Sequence, residues 1–468
     1  MKKTEILEKN IIATLTDIDE DCDFVVIDGI EHDSLNKAPN DIFSEENWTP
    51  ETWMIKISKK SPFHKKISTF ERNAWFRVKF ELKIEIKKSN AIDSKDNLSH
   101  EVLFFTTQND ATDEQANEIL SIKVTNASEI RRGKELQKAR RFSKLVNYKK
   151  YKKSDIESIM NNAISGSNKN RNNYIIYDVG QANWTALIDT ENCTSNGSKV
   201  LMFYDFGKPT IFNYRGLPSN GIDPLQNDIS KAFVFLSHWD TDHWSGASTT
   251  AIYNRRGLSI DWDLRALSLK WIVPNQGRKS TGQKITPTSW RLALALHRNN
   301  NLVIWPTRVD IIYNSVGDFV IKCQPTVTEL INNNNTGLAF FSKNILHAHS
   351  KYFILSPGDA DYTSISIPVN IPINHMVATH HGAMIKDVNS IPAPADSQNS
   401  RIIFSVGSIN QYGHPNQIMT QNYSNYGWYK QAFTLNRNIR GYGTVSFNST
   451  QCYGCVHHDF KKGCPLLV

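Results

Sequence analysis

A chain of 468 residues is two to three times the usual single-domain length, so two or more domains are expected. With 40% hydrophobic and 21% charged residues it holds enough apolar surface for sizeable cores, which excludes wholesale disorder. The formal charge of +8 is moderate, and no apolar segment follows the opening lysines or runs for about 18 residues, so no signal peptide, membrane span or membrane partner is expected and the location is expected to be cytoplasmic.

Residues 1–125 read as a β-rich N-terminal module. Its clearest element is Phe76 to Ile86, where every even position is apolar and every odd position charged, the period of a strand with one buried face. Thr106 to Gln115, rich in Thr, Asp and Gln, reads as a closing loop. From about 128 to 163 the pattern turns helical and basic, and 126–171 is expected to be a connector and linker. Residues 131–153 carry eleven Lys and Arg against Glu135 alone, a net +10 over 23 residues. Arg131, Arg132, Lys138, Arg140, Arg141 and Lys144 are candidates for a phosphate-backbone surface, because clustered cations release counterions from nucleic acid. The other reading of this segment is a solvated helix face tethering two domains. Phe142, Tyr148 and Tyr151 are interleaved with the charges, either to stack on bases or, more simply, to pack on the domain body.

Ser165 to Asn173 is a polar linker, and after it the texture changes. Short apolar runs recur at 174–177, 200–204, 232–236, 319–321, 352–355, 376–378 and 402–406, and most lead directly into Gly, Asp, Ser or Thr. Trp290 to Arg298 is the best intervening helix. Strands with interspersed helices predict an α/β layered domain over 172–450, with its chemistry at strand ends.

The chemistry concentrates after the apolar run Phe233 to Leu236. His238, Asp240, Asp242 and His243 place four potential ligands within six residues, and divalent cations take three or four such nitrogens and oxygens each. On an extended loop His238, Asp240 and Asp242 point one way and His243 the other, so one loop would feed two adjacent ions. A solvated polar turn without metal is the plainer alternative.

This segment resembles the H-x-H-x-D-H signature of the metallo-β-lactamase superfamily, in the variant with Asp at the second His that is found in its ComEC-like branch. Further pieces are similar and in order. Asp178-Val-Gly-Gln181 resembles D-V-G-Q-G with Ala182 for the last Gly, and Asp205-Phe-Gly207 resembles D-x-G. Asn335 to Phe340 and Phe353 to Ala360 resemble the N-x-S-L-V-L and L-x-x-G-D-A strand pair. His380-His381-Gly382-Ala383 resembles H-H-G-S, and Ser405-Val-Gly407 with Tyr412-Gly-His414-Pro415 resembles S-V-G…Y-G-H-P.

The resemblance spans roughly 172–450 and implies an αββα sandwich, preceded here by the small β-rich domain. It implies two divalent metal ions, Zn2+ or Mn2+. His238 and Asp240 would serve one ion, Asp242 and His243 the other together with His380 or His381, and Asp359 would bridge both. A metal-activated hydroxide would be the nucleophile, with Asp242, Asp359 and His414 as the catalytic residues and His414 as proton donor or phosphate contact. Asp240 in place of His adds a hard anionic ligand and shifts preference toward manganese. His347 and His349 are further ligand candidates. Asp178 and Asp205 are expected to orient the ligand loops, and Trp239 and Trp244 to wall them.

Beyond residue 450, Cys452, Cys455, His457 or His458, and Cys464 form a Cys/His tail with the content of a structural zinc site. With Cys22, Cys193 and Cys323 they make six cysteines, expected as free thiols or ligands rather than a disulfide framework. The function expected is a phosphodiesterase, foremost a nuclease on DNA or RNA. The alternatives are hydrolysis of a small phosphodiester or phosphorylcholine-type ester, and an effector subunit whose N-terminal module docks a protein partner.

Overall fold

The computed structural model describes residues 3–16, 24–40, 48–70, 74–86, 118–145, 150–167, 172–194, 197–209, 223–276, 285–326, 332–343, 352–407, 412–434 and 445–447. The chain divides into two compact units, one of Met1–Lys144 with Ser248–Trp262 and Lys284–Arg298, the other of the remaining residues. Among the described residues no helix is long and apolar enough to cross a membrane.

The first unit is built on a five-stranded antiparallel sheet. Its order is Thr52–Ser58, Phe24–Glu31, Lys3–Leu15, Phe76–Ile86, Glu118–Glu129. The alternating segment is a strand over the residues its period marked, and Phe76, Val78, Phe80, Leu82 and Ile84 are all buried. Each such side chain contributes roughly 1.5–3 kcal/mol by leaving water, which fixes the register and leaves the charged set outside.

Two segments far along the chain complete this unit. One is the hairpin of Ser248–Asn254 and Gly257–Trp262. The other is the helix Pro287–Arg298, three residues longer at its start than the periodicity marked and opened by proline, whose missing N–H costs nothing there. The helix packs Trp290 edge-on against Phe142 at 5.0 Å. Buried Asp28 accepts hydrogen bonds from the Thr288 backbone N–H (2.9 Å) and hydroxyl (2.8 Å), so a strand carboxylate satisfies a donor of the helix's first turn.

The basic stretch is not the continuous helix expected from about 128. The strand Glu118–Glu129 runs into its start, and helix returns only as Lys134–Ala139, a 3-10 turn Arg140–Ser143 and the helix Lys153–Ile164. Pairing with Phe76–Ile86 overrides the local preference.

The second unit holds two seven-stranded sheets. The first has the order Leu302–Ile304, Lys270–Val273, Phe233–Phe235, Gly197–Tyr204, Thr185–Thr194, Asn172–Ile176, Val445–Ser446. The second runs Ile311–Tyr313, Phe319–Lys322, Leu338–Lys343, Phe353–Ser356, Ile373–Val377, Arg401–Phe404, Lys430–Phe433.

Each sheet is antiparallel in one half and parallel in the other. One core takes Tyr174, Phe235 and Ile272 from the first sheet and Leu338, Phe340 and Val377 from the second. Ile156, Met160 and Ala163, on one stripe of the helix Lys153–Ile164, close it. On another apolar cluster of the second sheet, Met419 and Tyr423 of the helix Gln417–Asn425 pack with Trp428. The fold is therefore mixed α/β with two sheets sharing a core, and the parallel strands end in the loops that carry the polar residues.

Candidate metal centre

Five of those strand ends supply the centre. Gly197–Tyr204 leads into Asp205, Phe233–Phe235 into His238, Phe353–Ser356 into Asp359, Ile373–Val377 into His380 and His381, and Arg401–Phe404 into Ser405. The carboxyl ends of parallel strands are where open α/β sheets gather their ligands.

The loop after Phe235 does not stay extended. Thr241–His243 is a 3-10 turn, which carries His243 back beside His238 instead of away from it, with ring centroids 4.1 Å apart. Asp205-Phe206-Gly207 clamps this turn: Phe206 N–H donates to the His243 carbonyl (2.7 Å) and Asn183 N–H to the Asp242 carbonyl (3.2 Å). A Cβ on Gly207 would lie 1.7 Å from the Asp242 carbonyl oxygen, so the D-x-G pattern needs glycine for close approach.

Side chains converge from both sheets. His238 Nε2 lies 3.2 Å from Asp240 Oδ2 and 3.8 Å from Asp359 Oδ2, and His243 Nε2 lies 3.2 Å from Asp359 Oδ1. His381 Nε2 lies 3.3 Å from Asp242 Oδ2, and His380 Nε2 lies 3.6 Å from Asp359 Oδ2. Among the described residues two sets have geometry that could hold an ion, His238 with His243 and Asp359, and Asp242 with His243 and His381. The ligand atoms within each set lie within 4.8 Å of one another.

The far nitrogens of the three buried rings are all fixed. His243 Nδ1 donates to Asp205 Oδ2 (2.8 Å) and His381 Nδ1 to the Ser405 carbonyl (2.7 Å). The Ser237 hydroxyl donates to Asp205 Oδ2 (2.9 Å), so at His238 it accepts from Nδ1–H (2.9 Å). A hydroxyl has one proton, and a carboxylate or carbonyl oxygen only accepts, so each ring keeps its Nδ1–H and aims the Nε2 lone pair inward. The Nε2 atoms of His238, His243 and His381 are buried and make no well-angled hydrogen bond. Three nitrogens held this way fit a cation, and the donor set of imidazoles and carboxylates suits Zn2+ or Mn2+.

Electrostatics agree with the geometry. Burial opposes charge on His243, yet Asp359, Asp205 and Asp242 push its pKa well above the ordinary histidine value. His238 is raised too, with burial and His243 outweighed by Asp240 and Asp359. Burial opposes ionisation of Asp242, but His243 and His381 draw it down to about 2, and Asp359, likewise buried, is held well below the carboxylate range by His243 and His380. The carboxylates demand positive charge between them, which protons on Nε2 or a bound cation supply.

Backbone strain marks the same place. Among the described residues six non-glycines have positive φ, and Asp205 (57°), His380 (48°) and His381 (55°) are three of them. Such conformations cost on the order of 1–3 kcal/mol each and persist where surrounding structure over-determines them.

The centre therefore gathers His238, Asp240, Asp242, His243, Asp359, His380 and His381, and it separates the histidine pair. His381 faces Asp242, whereas His380, about one-third exposed, faces Asp359 and His414, whose ring is 5.6 Å away. Burial and the neighbouring His380 and His381 push the His414 pKa down to about 3, which leaves it neutral at neutral pH. Asp178 accepts from Gly180 N–H (3.4 Å) within its own loop. Trp239 and Trp244 are buried walls, the second donating to the Trp239 carbonyl (3.0 Å).

His347, His349, Cys452, Cys455, His457, His458 and Cys464 lie outside the described residues. So do Cys22, Tyr148 and the side chain of Cys193, while Cys323 is a buried free thiol. Of the basic candidates, Arg131, Arg132 and Arg140 are exposed. Lys138 donates to the Asn36 carbonyl (3.2 Å) and Arg141 to those of Pro39 (2.7 Å) and Asn40 (2.5 Å), and Lys144 is half-buried. Phe142 is buried in its unit's core, and Tyr151 packs on the core of the other unit.

Ser237 and Asn183 support the centre without having been singled out for it. Asn183 adds a third donor to Asp205 Oδ2 (2.9 Å). The one signal was position, since Ser237 abuts His238 and Asn183 follows the D-V-G-Q stretch.

No family model and no curated protein matches the chain. Among solved structures, one described as a metal-dependent hydrolase of the beta-lactamase superfamily is similar over 56% of this chain and 95% of its own, at 12% identity and a TM-score of 0.30.

Proposed function

We propose that this chain is a metal-dependent hydrolase of the metallo-β-lactamase superfamily that cleaves phosphodiester bonds, foremost those of nucleic acid. One observation carries the metal dependence: three buried imidazoles, their Nδ1 atoms occupied, aim Nε2 at the carboxylates of Asp240, Asp242 and Asp359, the six side chains coming from three strand-end loops.

His243 has a single lone pair, because its Nδ1–H is given to Asp205, so it serves one ion. With Asp242 and His381 it would hold that ion, Asp359 standing between this set and His238. Asp240, beside His238 Nε2, would complete the second set. Divalent cations held by these residues would supply a lowered water pKa and positive charge for a leaving oxygen. Asp242 and Asp359, ionised at any ordinary pH, fix the charge of the centre. His380 and neutral His414 form the partly open side, where they would hydrogen-bond a substrate oxygen. The carboxylate share of the donors favours harder ions and phosphate-oxygen chemistry. Purified protein with Mn2+ or Zn2+ is expected to cut DNA or RNA, and Asp242→Ala to reduce cutting to background; cutting unchanged by that substitution refutes the assignment.

One observation favours a second reading, hydrolysis of a small phosphodiester. Lys138 and Arg141 are engaged by backbone carbonyls, and the basic segment is broken into short pieces, which leaves a smaller cationic surface than its charge suggests. Turnover of bis-p-nitrophenyl phosphate without nucleic-acid cleavage, unaffected by neutralising Arg131, Arg132 and Arg140, would select it.

A further inference from the structure

We propose that Asn333 is the positioning residue for Asp240 and thereby sets the affinity and metal preference of the His238 side of the centre; this rests on the metal-centre reading above. Asp240 is the least enclosed of the His238-side groups, with 18% of its side chain exposed against 1% for His238 and 6% for Asp359. A carboxylate so placed needs something to fix its rotation, as ring hydrogen bonds fix the histidines.

A side-chain amide donates to it. Asn333 Nδ2 lies 3.4 Å from Asp240 Oδ1, while the other oxygen, Oδ2, is the one 3.2 Å from His238 Nε2. The two oxygens are thus divided, one toward the amide and one toward the centre, an arrangement that favours single-oxygen ligation.

Asn333 is itself anchored. The Gln276 side-chain amide donates to the Asn333 carbonyl (2.6 Å) and to the Thr336 hydroxyl (3.0 Å), and Gln276 is buried. Two residues past Thr336, Leu338 N–H donates to the Ser237 carbonyl (2.8 Å), tying this segment to the residue before His238. Gly337 permits that approach, since a Cβ there would sit 2.6 Å from the same carbonyl oxygen. The chain from Gln276 through Asn333 to Asp240 connects the end of Lys270–Val273 to the metal loop, and outer partners of this kind change metal affinity by about 10–100-fold when removed.

The test is Mn2+ and Zn2+ titration of the full-length apoprotein, read by Mn2+ electron paramagnetic resonance and by the metal-induced rise in melting temperature. Asn333→Leu, alike in branched shape but without a donor, is expected to weaken the His238-side ion about tenfold and to lower Mn2+ affinity more than Zn2+. The melting temperature of the metal-free protein should hardly change. In an Asp240→Ala background the same substitution should add nothing. Asn333→Ala serves if the leucine does not fold, and Gln276→Leu should reproduce a smaller loss. Equal affinities for wild type and variants overturn the role of Asn333 while leaving the metal centre intact. A lowered melting temperature with unchanged metal response makes Asn333 merely structural. Wild-type protein that takes up no ion sinks the metal-centre reading itself.

Discussion

His243 Nδ1 donates to Asp205 Oδ2 across 2.8 Å, both side chains fully buried, and the same carboxylate oxygen accepts from Asn183 and Ser237. One aspartate thereby orients His243 directly and His238 through the Ser237 hydroxyl. Asp205→Ala should lower metal affinity by about 10–100-fold without touching any atom that faces the ion. Competitive Mn2+ titration measures this, and undiminished affinity would mean that the rings hold their orientation by packing alone.

Metal uptake should release protons. His243 is held protonated by Asp359, Asp205 and Asp242, and a ligand nitrogen must lose that proton. A raised pKa means the proton is held tightly below it, so apparent affinity falls as pH drops and rises as pH climbs through neutrality toward that pKa. Calorimetric titrations in buffers of different ionisation enthalpy should show net proton release at pH 7. A buffer-independent heat would contradict the charge assignment.

Gly207→Ala should disorder the turn that carries Asp242 and His243, because its Cβ would meet backbone rather than a flexible side-chain tip. The expected outcome is loss of metal-induced stabilisation together with a lower melting temperature, followed by thermal unfolding with and without Mn2+. An alanine variant with wild-type metal response would mean the loop shifts freely.

Asp28 gives the first unit a pH dependence of its own. Burial raises its pKa to about 6 from 3.8, against the pull of hydrogen bonds from Thr286 and Thr288. The folded form therefore binds the proton more tightly than the unfolded chain. Its contribution is a penalty that is absent below pH 3.8, grows between 3.8 and 6, and amounts to about 3 kcal/mol at neutrality. Asp28→Asn removes this titration, so wild type should lose stability relative to the variant as pH rises from 4 to 7. Urea denaturation at both pH values tests it, and a constant difference between the two proteins counts against the shift.

A chain begun at residue 145 should not fold cleanly. The hairpin Ser248–Trp262 and the helix Pro287–Arg298 belong to the first unit, where Tyr253 stacks on Trp53 at 5.9 Å and Trp290 meets Phe142. Removal of residues 1–144 uncovers these large side chains, each worth roughly 1.5–3 kcal/mol of burial. Insoluble protein, or soluble protein that binds a hydrophobic dye strongly, is expected. A monomeric, dye-silent product would show the two segments fold without their sheet.

The sequence alone determined whatever is periodic or local. Alternation placed Phe76–Ile86 as a strand with its apolar face inward, and apolar runs ending in polar residues located half of the fourteen described strands of the second unit. The crowding of His238, Asp240, Asp242 and His243 marked the loop of the candidate centre. Only the tertiary structure decided which side chains meet. The 3-10 turn at Thr241–His243 turned His243 toward His238, and left-handed backbone at His380 and His381 pointed the pair in different directions. Asp205 became the hub because three donors from two loops, Asn183 on one and Ser237 and His243 on the other, reach one of its oxygens. The helix Pro287–Arg298 joined the first unit because Asp28, some 260 positions earlier, accepts from its first turn. Spacing along a chain reports which face a residue shares with its neighbours. Convergence of distant loops is set by sheet order and packing, which no local pattern encodes.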